Sequence, residues 1–199
     1  MPFGLHNAAQ TFQRFMDQVL RGLHFTYNYI DDLLVASPNA EEHKQHLRSV
    51  FERLHRHGVL INPAKCELGV KQLQFLGHQI DSHGIRPLAD KVKAVVDFPQ
   101  PTTPRKLREF LGLVNFYHWF IPNAAHTLRP LHQLLQAAKD GRSKLCWTQQ
   151  ATSAFEASKQ ALASATMLSY PKPDAPTSIM CDASDTAVGA VLQQEIEGQ

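Results

Sequence analysis

The sequence predicts an α+β fold in which a small antiparallel sheet carries packed helices, and three observations predict it. Short apolar runs bounded by turn residues recur along the first half; amphipathic helical patterns separate them; and β character returns at the end, after a proline-punctuated helical stretch.

The first helix follows Phe3-Gly4-Leu5. Asn7 stands as N-cap with Gln10 three residues on, similar to a capping box, and Phe12, Phe15, Met16, Val19 and Leu20 follow at helical spacing before Gly22. Next comes Asn28-Tyr29-Ile30-Asp31-Asp32-Leu33-Leu34-Val35, which reads as strand, tight turn, strand, with both aspartates in the turn. Two adjacent carboxylates repel when both are ionised, so a site that keeps both charged calls for a cation. A divalent-metal site for phosphoryl chemistry satisfies that demand; the tetrapeptide alone favours a water-exposed Asp-Asp hairpin.

Ser37-Pro38 opens a second helix, with Glu41 and Glu42 in its first turn and His55, Arg56 and His57 in its last, charges that complement the helix dipole. Val59-Leu60-Ile61 reads as a short strand, Lys65 to Leu68 as another, and Leu73 to Ile80 as a longer one ended by Asp81-Ser82-His83-Gly84. Between Ile85 and Asn123 short helices take over: Asp90 to Val96, then one opened by Thr103-Pro104 with Leu107, Phe110, Leu111, Val114 and Tyr117 on one face and a stop at Pro122. Arg105, Lys106 and Arg108 cluster at its start. Cations there oppose the helix dipole, so they are either merely solvated or answer an outside anion such as phosphate. A leucine-rich helix, a polar loop at Lys139 to Lys144, a helix after Trp147-Thr148 and two strands, Thr177 to Cys181 and Val188 to Gln193, complete the chain, with Ala183-Ser184-Asp185 as the turn between them.

Composition bounds the function without naming it. Over 199 residues, 43% hydrophobic and 19% charged are ordinary for a globular protein of one or two domains. A net charge of +2 is too small to argue nucleic-acid binding by itself. Cys66, Cys146 and Cys181 are odd in number and widely spaced, which disfavours a disulfide framework or zinc site and makes a reducing intracellular compartment the default. No apolar run is long enough to cross a bilayer and no signal peptide opens the chain. The sequence enters a motif at once and ends just after a strand, so it reads as cut at both ends.

Taken together, Met1-Pro2-Phe3-Gly4-Leu5 with Asn7-Ala8, Tyr29-Ile30-Asp31-Asp32, Phe75-Leu76-Gly77-His78-Gln79-Ile80, Phe110-Leu111-Gly112-Leu113 to Phe120-Ile121-Pro122-Asn123, and Asp182-Ala183-Ser184 with Gly189-Ala190-Val191-Leu192 resemble the pol polyprotein of gypsy-type LTR retrotransposons. The resemblance implies a reverse transcriptase: the C-terminal part of a polymerase palm at 1–84, a thumb-like helical segment at 85–123, and a connection with the start of a ribonuclease H-like α/β domain at 124–199. It implies an RNA-directed DNA polymerase in which Asp31 and Asp32 are catalytic and metal-binding, the third carboxylate preceding Met1, with Mg²⁺, or Mn²⁺ in its place, in a two-metal site. Phe3, Gly4 and Tyr29 would line the nucleotide pocket, Leu76, Gly77 and His78 would hold the primer, and Arg105, Lys106 and Arg108 would follow the nucleic-acid backbone. Asp182 matches the first metal-binding aspartate of the ribonuclease H domain, and a similar fold also serves as an inactive connection domain in related enzymes.

The implied partners are an RNA or DNA template-primer duplex and dNTPs, with no membrane, in a cytoplasmic particle or the nucleus. The alternative is a catalytically inactive, retroelement-derived nucleic-acid-binding or interaction protein. The chain departs from the family pattern at His118-Trp119, where two basic residues are usual, at Ala9, where proline is usual, and at Asn28, where a β-branched residue is usual.

Overall fold

A computed structural model describes residues 4–138, 144–165, 167–183 and 188–196. The chain divides into two compact units, Met1–Leu76 and Gly77–Gln199.

In the first unit, helix α1 (Ala8–Val19) turns an apolar stripe inward, strands β1 (Thr26–Tyr29) and β2 (Asp32–Val35) form a hairpin, helix α2 (Ala40–Arg56) packs beside them, and strand β3 (Gln72–Phe75) closes the unit. Met16, Val19 and Leu20 meet Val50 and Leu54 of α2, with Phe12, Leu23, Phe25, Leu33, Val35 and Val59 packed around them. Burying each such side chain contributes roughly 1.5–3 kcal/mol before conformational entropy is counted, and this cluster is what seats the hairpin. Two polar ties reinforce it. Arg53 donates to the carbonyls of Val19 (3.1 Å) and Arg21 (3.2 Å), satisfying backbone groups left over at the end of α1, and the ring of Phe25 stacks on His46 at 3.6 Å.

Several expected elements change here. Asn7 occupies the N-cap position of α1 but its side chain makes no capping bond, so the box with Gln10 does not form. The cap of α2 is Asn39 rather than Ser37: its carboxamide accepts from the Glu42 amide (2.9 Å) and donates to the Glu42 carboxylate (2.7 Å). Val59-Leu60-Ile61 and Lys65 to Leu68 are not strands. Asn62 caps a 3-10 turn at Pro63–Lys65 that diverts the backbone, and Leu60 is 94% exposed, so β-branched composition there has no sheet to join.

In the second unit, β4 (His78–Asp81) and β5 (Gly84–Pro87) pair antiparallel, Ile80 opposite Ile85, and the two-residue strand β6 (Leu168–Ser169) adds to the far side of β5. Among the described residues four α-helices follow β5: α3 (Ala89–Val96), α4 (Pro104–Phe116), α5 (Ala124–Ala137) and α6 (Gln149–Ala163). Their core runs from Val95 through Leu107, Phe110 and Val114 to Leu128, Leu131, Phe155 and Leu162. Phe110 and Phe155 stand 4.5 Å apart, ring centre to ring centre. Thr103 and Thr148 cap α4 and α6 by accepting from Lys106 and Ala151 amides. Trp147 fixes the entry to α6, its indole N–H donating to the Pro101 carbonyl at 2.7 Å.

The stretch 73–80, expected as one strand, is two: Leu76 (φ 46°) and Gly77 (φ 77°) both adopt left-handed backbone and separate β3 from β4. Asp81 closes the β4–β5 turn, accepting from the amides of His83 (2.8 Å) and Gly84 (3.2 Å) and from Arg86 (2.9 Å); the His83 amide foremost, then Gly84 and Arg86, hold its carboxyl below the usual range. Strands β7 (Thr177–Ala183) and β8 (Val188–Gln194) pair antiparallel with Asp182 opposite Gly189, and every residue of the two strands but Gln194 is exposed. Among the described residues no helix is long and apolar enough to cross a membrane.

Candidate nucleotidyl-transfer site

The β1–β2 hairpin has a two-residue turn, and its central residues are Ile30 and Asp31. Tyr29 faces Asp32 across the ladder, so Asp32 is the first residue of β2, which corrects the expectation that both aspartates occupy the turn. The reason lies in twist: a two-residue hairpin requires positive φ at its first central residue, and Ile30 takes it, at 54°. For a β-branched side chain that conformation costs on the order of 1–2 kcal/mol. The neighbouring helix offsets it. Gln13 of α1 accepts the Ile30 amide at 2.6 Å and donates to the Asn28 carbonyl at 3.2 Å.

This turn brings Asp31 and Asp32 together as exposed neighbours. Neither carboxylate has a hydrogen bond or ion pair among the described residues, so none of those residues offsets the charge of the pair. An oxygen-rich, exposed, unpaired couple of this kind fits a hard divalent cation. No set of three His, Cys, Asp or Glu side chains able to hold a metal gathers among the described residues. Tyr29, 49% exposed, stands beside the pair; Tyr27, on the same face of β1, packs edge-on against Phe75 at 6.0 Å. Gly4 has φ 91° and open space where a Cβ would project, while Phe3 lies outside the described residues.

The Leu76-Gly77 turn is anchored from the end of α4. The Tyr117 hydroxyl donates to the Gly77 carbonyl at 2.8 Å, and burial, with Asp90 nearby, raises the pKa of that phenol. A Cβ at Gly77 would lie 3.0 Å from the Phe116 ring, so backbone and aromatic meet without a side chain between them. His78 stacks on Phe116 (5.3 Å) and Phe120 (5.8 Å) and meets Tyr117 edge-on (5.5 Å). These anchors, and Gln13, were not recognised in the sequence as functional. Tyr117 reads as part of a helix's apolar face, and Gln13 belongs to no motif.

At the start of α4, Lys106 is committed to Glu109 at 2.9 Å, whereas Arg105 and Arg108 are exposed with no ion pair among the described residues. Asp182 lies on the exposed strand β7, and among the described residues its carboxylate accepts only the adjacent Ala183 amide, at 2.9 Å. Ser184 and Asp185 of the expected turn lie outside the described residues.

Residues 1–80 match the family model "Reverse transcriptase (RNA-dependent DNA polymerase)", and residues 147–199 match that of the "RNase H-like domain found in reverse transcriptase". Both models describe domains of reverse transcriptases, and the chain is similar to that family over residues 1–80 and 147–199. Its sequence is similar to the Transposon Tf2-3 and Tf2-7 polyproteins of Schizosaccharomyces pombe, each 36% identical over 197 residues, 98% of this chain. The chain spans 14% of the length of those relatives. This is consistent with the gypsy-type retrotransposon origin that the motif order implied.

Reverse transcriptase architecture is equally plain in the solved structures. The fold is similar to the foamy viral protease-reverse transcriptase in complex with dsDNA (TM-score 0.81, 25% identity, 100% of this chain and 41% of that one). It is also similar to the foamy viral protein in complex with RNA/DNA hybrid (TM-score 0.80, 25% identity, 98% of this chain and 26% of that one). The α+β class expected from the sequence, with a reverse transcriptase segment followed by an RNase H-like one, is therefore the class observed.

Proposed function

We propose that this chain is part of a retrotransposon enzyme that extends a primer on an RNA or DNA template, and that Asp31 and Asp32 hold the metal ions for that step. The observation that carries the reading is the unpaired carboxylate couple on the β1–β2 hairpin, inside the segment that matches the reverse transcriptase model. Bound there, Mg²⁺, or Mn²⁺ in its place, would activate the primer 3′-hydroxyl and offset charge on the leaving pyrophosphate.

The chain's own residues divide the remaining work. Tyr29 supports the nucleotide pocket beside the pair, and Gly4, with Phe3, gives the incoming dNTP a close backbone approach. Leu76, Gly77 and His78 present the primer end, with Tyr117 holding the Gly77 carbonyl. Arg105 and Arg108, with Lys106 once it leaves Glu109, contact phosphates of the template-primer without reading sequence. Asp182 contributes one carboxylate to hydrolysis of RNA in RNA/DNA hybrids. In this scheme 1–84 serves as palm, 85–123 as thumb, and 124–199 as connection and the beginning of the RNase H-like domain; the site of action is a cytoplasmic particle or the nucleus.

The test is RNA-templated primer extension by the polyprotein-derived enzyme that contains this chain. Extension dependent on a divalent cation is expected. No extension on either RNA or DNA template, with duplex binding retained, overturns the reading in favour of a non-catalytic nucleic-acid-binding protein.

A further inference from the structure

We infer that Gln13 is a positioning residue for the Asp31-Asp32 pair, an inference that rests on the metal-binding reading of that pair. Gln13 lies on α1 with its carboxamide directed at the hairpin, and each of its polar atoms has a fixed task. The oxygen accepts the Ile30 amide at 2.6 Å; the nitrogen donates both to the Asn28 carbonyl at 3.2 Å and to the Asp17 carboxylate at 2.8 Å. That uses the acceptor and both N–H donors of the group.

Asp17 sets the direction of the clamp. An ionised carboxylate only accepts, so it selects the nitrogen side of the carboxamide and leaves the oxygen facing Ile30. Ile30 is the position that needs holding: its φ of 54° is strained for a β-branched residue, and its peptide leads directly into Asp31. Backbone at Asn28 and Ile30 is thus pinned on the strand side of the turn, and the orientation of the next two residues follows from it. If the turn relaxes, the two carboxylates separate or rotate, and the affinity of the pair for a cation falls while the core around Met16, Val19 and Leu54 remains packed.

The experiment is carried out on this 199-residue chain with Mn²⁺ as the probe. Two quantities are read by NMR: hydrogen-exchange protection of the Ile30 amide, and the Mn²⁺ concentration that half-broadens the Asp31 and Asp32 resonances. Gln13→Met, similar in length but without hydrogen-bonding groups, is expected to lower Ile30 protection roughly tenfold and to raise the Mn²⁺ midpoint roughly fivefold, with little change in the urea midpoint. Gln13→Glu places a second carboxylate against Asp17 and is expected to raise the Mn²⁺ midpoint as well. An unchanged Mn²⁺ midpoint in Gln13→Met overturns the positioning role alone. Absence of Mn²⁺ broadening in the parent chain overturns the metal reading itself, and that outcome is separable because Ile30 protection still reports whether the clamp exists.

Discussion

Asn28 carries a cost that its neighbours do not. Its backbone carbonyl is held by Gln13, yet both atoms of its side-chain amide are buried without a hydrogen-bond partner among the described residues. It stands opposite Leu33 in the ladder, at a position where the sequence already departs from the β-branched residue usual in the family. A buried amide without partners loses its hydration for nothing in return, so a β-branched apolar side chain of similar size suits the strand better. Asn28→Val is therefore expected to stabilise the first unit by about 1 kcal/mol, read as a higher urea midpoint at unchanged slope. A fall of that size instead would mean that the amide does find a partner. The same residue-scale logic separates what the sequence made legible from what it did not. Asp31 and Asp32 announced themselves by adjacency and charge. Gln13 did not, because a polar residue on an amphipathic helix looks like solvent-facing surface until the hairpin is folded against it.

At the scale of elements, the hairpins depend on backbone conformations that composition only partly signals. The β4–β5 turn is the clearest case. Gly84 pairs with Ser169 at the β5–β6 ladder, and a Cβ built on it would lie 2.1 Å from the Leu168 carbonyl oxygen and 3.0 Å from Met167. The nearest obstruction is backbone and cannot swing away. Gly84→Ala is expected to displace β6 and destabilise the second unit by roughly 1–3 kcal/mol, read by denaturant unfolding and by loss of amide protection at Leu168; a change under about 0.5 kcal/mol would mean that β6 contributes nothing to the unit. Glycine at the end of an apolar run reads as a turn, so its role as a close-packed strand residue was not legible, and β5 and β6 went unread with it. The helices were easier. α3, α4, α5 and α6 lie close to their expected places because proline, threonine caps and leucine spacing encode them locally. The two strands expected at 59–61 and 65–68 failed for the opposite reason, since apolar residues make a strand only where a neighbouring strand accepts their hydrogen bonds.

For the molecule as a whole, function is divided among parts that the sequence lists in order. The first unit builds a carboxylate couple on a strained turn and clamps it from α1; the second builds a four-helix core and holds a glycine turn by the Tyr117 hydroxyl and the Phe116, Tyr117 and Phe120 rings around His78. The order of motifs was enough to indicate a reverse transcriptase followed by an RNase H-like segment, because each motif preserves a chemical necessity: paired acids for metal, glycine for close backbone approach, aromatics for anchoring. Distances and partners were not legible, since they arise only when α1 meets the hairpin and α4 meets the Gly77 turn. The claim on which all of this converges is that Asp31 and Asp32 are the metal-binding acids of nucleotidyl transfer. It is tested most directly by the single-turnover rate of one-nucleotide incorporation in the polyprotein-derived enzyme, comparing the parent with Asp31→Asn and Asp32→Asn, each of which preserves shape and removes charge. Each substitution should slow incorporation by roughly a thousandfold or more, equivalent to about 4 kcal/mol of lost transition-state stabilisation, while template-primer affinity changes by less than about threefold. Incorporation by either variant at a rate within about threefold of the parent would contradict the assignment of that aspartate to the metal site.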